Sequence, residues 1–398
     1  MSSLLDDARA VYPEAVRLRR TLHQAPEIGL QLPRTQGAVL AAIADLGLTV
    51  TTGTSVSSVV AVLDGGLPGP TVLLRGDMDA LPLHEDTGLE FSSGTDGSMH
   101  ACGHDTHVAM LAAAARLLTR RREEIPGRVL FMFQPGEEGW HGAKYMLEEG
   151  LLDAAGEPPS GAFALHVTTM FESGTVNLRG GPQMASSDVL QITITGRGGH
   201  ASAPHAANDP IPVACEIVSA LNTMVTRRVS VFEPAVVTIA HIKAGTTSNI
   251  IPETAYLEGT VRALSASVRA EVHENIRRVA TNVAAAHQMS AEVDIQIGYP
   301  VTVNDATYAG FAGDVAAQLL GEGAVVPMND PVMGAEDFSY VLERVPGALA
   351  FLGACPPTLD PDTAPANHSN RVVFDESAMV NGVATYAAVA LQHLATHR

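Results

Sequence analysis

Within nine residues, Met99 to His107 (MHACGHDTH), the chain carries one thiol, three imidazoles and a carboxylate. Thiolate and imidazole suit borderline-soft divalent metals and carboxylate suits harder ones, so the stretch reads as half of a metal site. Taken alone, it also permits Cys102 to act as a nucleophile beside a histidine. Glu137 and Glu138 adjoin each other in a glycine-flanked loop, PGEEG. Neighbouring carboxylates point in different directions, so one can ligate a metal while the other serves as a base, the division of labour that metal-assisted hydrolysis needs. Asp77 and Asp79 in GDMD, His166 in ALHV and His368 in NHSN are further donors. Residues 196–205, GRGGHASAPH, form a glycine-rich turn holding His200 and His205, with Asn249 and Arg262 farther along. That turn lacks the G-x-x-x-x-G-K-[ST] pattern of a phosphate-binding loop.

The elements that must position these groups follow from periodicity. Leu4 to Leu22 has apolar residues at helical spacing, giving a lead-in helix. Strands are expected at Val56–Leu63, Thr71–Arg75, Arg128–Gln134 and Ala162–Val167, and helices at Thr106–Thr119 and Trp140–Glu148. This alternation predicts an α/β layer with a mostly parallel sheet. Ligands of such sheets bind beyond the carboxyl ends of the strands, where GDMD, PGEEG and His166 all fall. Near Ser186 the pattern changes to β-α-β-β-α-β, the ferredoxin-like order: Val189–Thr195, Pro210–Arg228, Val236–Lys243, Thr254–Ala263, Ser265–Gln288 and Ala291–Ile297. Helix and strand alternation then resumes with Asp305–Leu320, Asp337–Val345 and Ala348–Leu352, and ends in a helix at Glu376–Thr396. The expected organisation is a metal-binding catalytic domain of residues 1–185 and 300–398, with residues 186–299 inserted as a smaller α+β domain.

Composition removes other classes. The 398 residues are 46 % hydrophobic and 17 % charged, ordinary for a folded protein and enough for more than one core. The net charge of −19 argues against nucleic acid or an anionic membrane as a partner, since both require a basic stripe. Arg120-Arg121-Arg122 is followed by two glutamates and reads as the solvated end of a helix. There is no apolar run of membrane-spanning length, and the N-terminus has no basic region leading into an apolar core. Three widely spaced cysteines without C-x-x-C speak against a disulfide framework, so a cytoplasmic location is expected.

RGDMDALP (75–82), MHACGHDTHVAML (99–111), QPGEEG (134–139), ALHV (164–167), GGHASAPH (198–205), MGAEDF (333–338) and NHS (367–369) occur in this order. Together they resemble the two-metal amidohydrolases that include aminoacylases, hippurate hydrolases and indole-acetyl-amino-acid hydrolases. The resemblance runs from about Arg19 to the last helix. It implies two divalent ions per subunit, drawn from zinc, manganese, cobalt or nickel, with Cys102 bridging them and His104, Glu138, His166 and His368 as the other ligands. It makes Glu137 the general base, Asp79 a carboxylate that holds a ligand in place, and His200 the group that stabilises the oxyanion. Asn249 and Arg262 would hold the carboxylate of a small anionic substrate, and the inserted domain would act as a lid and join two subunits in a homodimer. Other branches of the family carry a histidine ligand where Asp77 stands and an aspartate bridge where Cys102 stands, which favours the hippurate-hydrolase-like branch. Trp140 and His141 occupy a loop position where small residues are common.

The expected activity is metal-dependent hydrolysis of N-acyl amino acids. A dipeptidase or an N-acetyl-diaminopimelate deacetylase would use the same site. A Cys102-nucleophile hydrolase and a non-catalytic metal-binding protein are the readings from other classes; the first leaves the two-glutamate loop without a role, and the second gains nothing from a base beside an open coordination position.

Overall fold

The central strands of this protein are near-continuous apolar runs, such as Thr71-Val72-Leu73-Leu74 and Val129 to Phe133, which only a sheet covered on both faces can bury. The computed structural model describes residues 2–396. The chain opens with α1 (Ser2–Gln24), α2 (Pro33–Ile43), β1 (Thr49–Thr52), β2 (Val59–Asp64), β3 (Leu67–Asp77) and α3 (His104–Thr119). There follow β4 (Pro126–Gln134), α4 (Gly142–Glu148), β5 (Gly161–Glu172), β6 (Val176–Leu178) and the short β7 (Gly181–Met184). The middle of the chain supplies β8 (Asp188–Thr195), β9 (Gly199–His200), α5 (Pro210–Arg228), β10 (Ala235–Ala244), β11 (Ile250–Ile251), β12 (Thr254–Ala263), α6 (Ala266–Ala286) and β13 (Ser290–Ile297). The chain finishes with β14 (Thr302–Asn304), α7 (Ala306–Leu320), β15 (Val325–Pro327), α8 (Ser339–Leu342), β16 (Gly347–Cys355) and α9 (Ala378–Thr396).

These elements form two units. The first comprises Met1–Gln183, Val303–Asp330 and Asp337–Arg398. Its eight-stranded sheet runs β1-β2-β4-β3-β5-β16-β6-β15. The middle of the sheet, β4-β3-β5-β16, is parallel throughout, whereas β1 and β2, β2 and β4, and β16 and β6 pair antiparallel. Helices α1, α3 and α9 pack against one another, and α3 and α9 lie against β3. Arg121 pairs with Asp7 and Arg122 donates to the Gly47 carbonyl, so the arginine run closes α3 onto neighbouring elements.

The second unit comprises Met184–Thr302 and Pro331–Glu336. Its four-stranded sheet, β10-β12-β8-β13, is antiparallel throughout. Helices α5 and α6 pack together, and their apolar faces share a core with that sheet through Ile217, Leu221, Val272 and Ile276 against Leu190, Ile192 and Leu257. The Asp209 carboxylate caps α5 and the Ser265 hydroxyl caps α6.

Some elements depart from the sequence expectation. The helix expected over Asp337–Val345 is reduced to the single turn α8, because the Asp337 carboxylate is engaged by Gln134 and Ala143 and Pro346 follows. Strand β1 is exposed at all four positions, so no apolar alternation announces it. No helix among the described residues is long and apolar enough to cross a membrane.

Candidate metal centre

The site forms where the parallel strands of the first unit end. Asp77 closes β3 directly opposite Gln134, the last residue of β4. Arg75 faces Ala164 on β5, two residues before His166, and His166 in turn faces Phe351 on β16. The loop that follows β3 leads to Cys102 and to α3, whose first residue is His104. Gly103 joins them in the left-handed region at φ +84°, and a Cβ there would lie 2.3 Å from Val167 Cγ2. Only glycine satisfies both constraints.

Two triads of metal-ligand types share one residue. In each, the ligand atoms lie within 4.8 Å of one another: Cys102, His104 and His166 in one, and Cys102, Glu138 and His368 in the other. His104 also clusters with Glu137 and Glu138, and with Asp77 and His107. Cys102 Sγ is 3.4 Å from His166 Nε2, and His368 Nε2 is 3.2 Å from Glu138 Oε1. His368 is held in the left-handed region at φ +70°, a conformation that costs energy outside glycine, while its backbone N–H donates to the Ala101 carbonyl.

Hydrogen bonds fix which ring nitrogen of each histidine is available. His166 Nδ1–H donates to the Val167 carbonyl at 2.8 Å, which leaves the Nε2 lone pair facing Cys102. His107 Nε2 accepts the Val167 N–H at 2.8 Å, so its Nδ1 carries the proton and donates to Asp77 Oδ1. Both nitrogens of His107 are therefore occupied. The contrast with His104 is sharp. His104 Nε2 lies 3.3 Å from Asp77 Oδ2 and Nδ1 lies 3.5 Å from Asp79 Oδ1, yet neither is aligned as a hydrogen bond. Glu138 Oε1 likewise has no aligned donor. Buried polar atoms without partners are costly, and here they belong to the residue types that bind divalent ions. The residues present fit such a metal pair.

Charge within the cluster is strongly coupled. Burial works against ionisation of Asp77, but Arg75, His104 and His107 outweigh it and hold the carboxyl well below its usual range. Burial also opposes protonation of His104, and Asp77 and Cys102 overcome it. Burial and the Glu138 carboxylate push the Cys102 thiol up. Close contact with Cys102 and with the Glu138 carboxylate raises His368 to about 10.

Asp79 organises the glutamate loop. Its Oδ1 accepts the Glu137 N–H at 2.8 Å and its Oδ2 accepts the Glu138 N–H at 3.0 Å, so one carboxylate fixes both glutamates. Asn367, which has no role in the sequence reading beyond the motif NHS, donates to the carbonyls of Cys102 and Val167. Its place next to His368 is the only signal the sequence carried. Trp140 is half exposed and covers Gly29, while His141 Nδ1 lies 2.9 Å from the Tyr340 hydroxyl.

His200, Asn249 and Arg262 lie in the second unit. The His200 ring accepts from the Ser202 N–H through Nδ1, and the Asn249 carbonyl accepts the Ala201 N–H, which ties the two loops together. Arg262 projects from β12 opposite Val236, half-buried, and burial lowers its pKa.

Residues 73–392 match the model of "Peptidase family M20/M25/M40". The chain belongs to this family. It is 36 % identical over 396 residues to thermostable carboxypeptidase 1 of Saccharolobus solfataricus, covering 98 % of each chain. It is 38 % identical over 346 residues to N-acetylcysteine deacetylase of Bacillus subtilis, covering 87 % of this chain and 89 % of the relative. Among solved structures it matches the YXEP protein of Bacillus subtilis, described as a dinuclear metal binding peptidase, with a TM-score of 0.84 and 33 % identity over 98 % of this chain and 99 % of that one. Membership accounts for the motif order and for the sheet that positions it.

Proposed function

We propose that the protein is a two-metal amidohydrolase that cleaves the amide between an acyl group and the nitrogen of an amino acid. The observation that carries the reading is the pair of donor triads meeting at Cys102, with Glu137 beside them. Cys102 would be common to both ions, His104 and His166 would complete one triad, and Glu138 and His368 the other. When bound, two divalent ions lower the pKa of water and polarise the amide carbonyl. The similarity to a dinuclear metal binding peptidase and to an N-acetylcysteine deacetylase supports both the metal pair and the substrate class.

Glu137 takes a proton from the attacking water and returns it to the leaving amine. Its neighbour Glu138 contacts His368 and is assigned to the cluster, and Glu137 is assigned to proton transfer. In the second unit His200 is assigned to the developing oxyanion, and Asn249 and Arg262 to the free carboxylate of the substrate. For these three the support is the order of sequence motifs and the absence of an ion pair at Arg262 among the described residues. The unit that carries them is proposed as lid and dimerisation domain, with its edge strand β10, where Val236 and Ile242 are exposed, available for pairing.

The similarity to a carboxypeptidase favours a second substrate class, peptides cleaved at their last residue. Both classes present an amide whose leaving amine carries a carboxylate, so the chemistry is shared. Metal-loaded protein assayed with N-acetyl-, N-benzoyl- and indole-acetyl-amino acids beside dipeptides decides between them. Release of amino acid from the N-acyl panel is expected. Metal-replete protein that hydrolyses none of these compounds overturns the proposal.

A further inference from the structure

The loop from Pro135 to His141 carries both glutamates, and Asp79 grips it in the middle. Its two ends are gripped by a different carboxylate. Asp337 Oδ1 accepts the Gln134 side-chain amide at 2.6 Å, immediately before the loop, and Asp337 Oδ2 accepts the N–H of Ala143, in the first turn of α4 after it, at 2.9 Å. Asp337 is fully buried, as are Gln134 and Arg75. Arg75 connects this anchor to the other side of the site: it donates to Asp337 Oδ1 at 3.3 Å, to Gln134 Oε1 at 2.9 Å and to Asp77 Oδ2 at 2.8 Å. Asp77 is the carboxylate that holds His107 and faces His104. One buried chain, Asp337–Arg75–Asp77, therefore joins the feet of the glutamate loop to the histidines of α3.

We infer that Asp337 is a positioning residue for this centre: it sets where Glu137 and Glu138 stand relative to His104 and Cys102 without itself belonging to either donor triad. The loop needs such a brace. It contains three residues at positive φ, Gly136, Gly139 and His141, and its backbone departs from regular structure at each of them, with Gly139 N–H bonded to Glu137 O and Gly142 N–H to Gly136 O. A carboxylate is the group that can accept from an amide side chain, a backbone N–H and a guanidinium at once. An asparagine accepts at one oxygen only and turns a donor toward Gln134 or Ala143.

The inference rests on the metal-centre reading above, and its test separates the two. Asp337→Asn is compared with wild type by chelator competition for zinc or manganese without substrate, and by kcat and KM on the best substrate of the panel. A ten- to hundredfold loss of metal affinity is expected, the range typical of groups that orient ligands, with kcat reduced by a similar factor and KM within threefold. Metal affinity and kcat both within twofold of wild type overturn the inference. If Asp337→Asn does not fold, Gln134→Met decides, since it removes the amide that bridges Arg75 and Asp337 and leaves the direct Arg75–Asp337 pair intact. A loss of at least threefold in metal affinity supports the brace, and an unchanged affinity refutes it. Wild type that binds two ions but cleaves nothing defeats the proposed activity alone, and the affinity comparison still stands.

Discussion

Replacing Asp79 with asparagine tests how the glutamate pair is held. In the native protein each carboxylate oxygen of Asp79 accepts one backbone N–H, from Glu137 at 2.8 Å and from Glu138 at 3.0 Å. An amide keeps one of these bonds and points its NH2 group at the other N–H. The displaced donor is buried and loses a hydrogen bond to a charged group, worth roughly 1.5–3 kcal/mol, in a place with little water to replace it. At about 1.4 kcal/mol per tenfold, that corresponds to roughly a ten- to hundredfold shift away from the native placement of the loop. Misplacement by about 1 Å near reacting groups costs rate on the order of 100-fold. The expected result for Asp79→Asn is therefore a fall of about 10–100-fold in kcat/KM and a parallel loss of metal affinity, with the apoprotein still folded. Steady-state kinetics on metal-saturated protein, chelator competition and denaturant melts of the apoprotein measure the three quantities. Kinetics and metal affinity both within twofold of wild type refute the reasoning.

Glu137→Gln should retain both metals by elemental analysis while kcat falls by at least about 100-fold, the contribution typical of a general base; a metal-replete variant that still turns over would remove Glu137 from that role. Arg262→Leu should raise KM for a carboxylate-bearing substrate about 10–100-fold with kcat within threefold, as expected for losing one charged hydrogen bond, and should leave the methyl ester of the same substrate unaffected. His23 governs an alkaline loss of stability. Burial disfavours its charge, but Asp105 and Glu85, at 2.9 Å and 3.2 Å, outweigh that and raise it to about 9. A histidine raised above its unfolded value of about 6.5 stabilises fully below that pH, and the contribution is lost as pH rises through about 9. At 1.36 kcal/mol per unit the effect is about 3 kcal/mol, so apo wild type should lose about that much more stability than His23→Gln between pH 6.5 and 10 in urea melts. Parallel losses in the two proteins would contradict it.

What the sequence disclosed and what it withheld differ by range. Cys102, His104, Glu137 and Glu138 were legible because their chemistry is concentrated in short stretches at the ends of apolar strands, where an α/β sheet brings loops together. The helices α5 and α6 were legible because their apolar spacing persists over many turns. Asp337 was hidden, since its partners Gln134 and Ala143 lie about two hundred residues away and nothing in MGAEDF names them. Arg75 was named only as the end of a strand and the first letter of a motif, although its side chain joins Asp77 to Asp337. The resemblance set His104 apart from His107 as the ligand, but the physical reason was hidden: only the structure shows the Val167 N–H occupying His107 Nε2. Antiparallel pairing at the sheet edges escaped because β1 and β6 are too short and too weakly patterned to announce themselves.

The central claim is that two divalent ions meet at Cys102, and anomalous diffraction from crystals grown with zinc tests it most directly. The account expects two anomalous peaks, both at Zn–S bonding distance of about 2.3 Å from Cys102 Sγ, one beside His104 and His166 and the other beside Glu138 and His368. A single peak, or two peaks of which either stands apart from that sulfur, would contradict it.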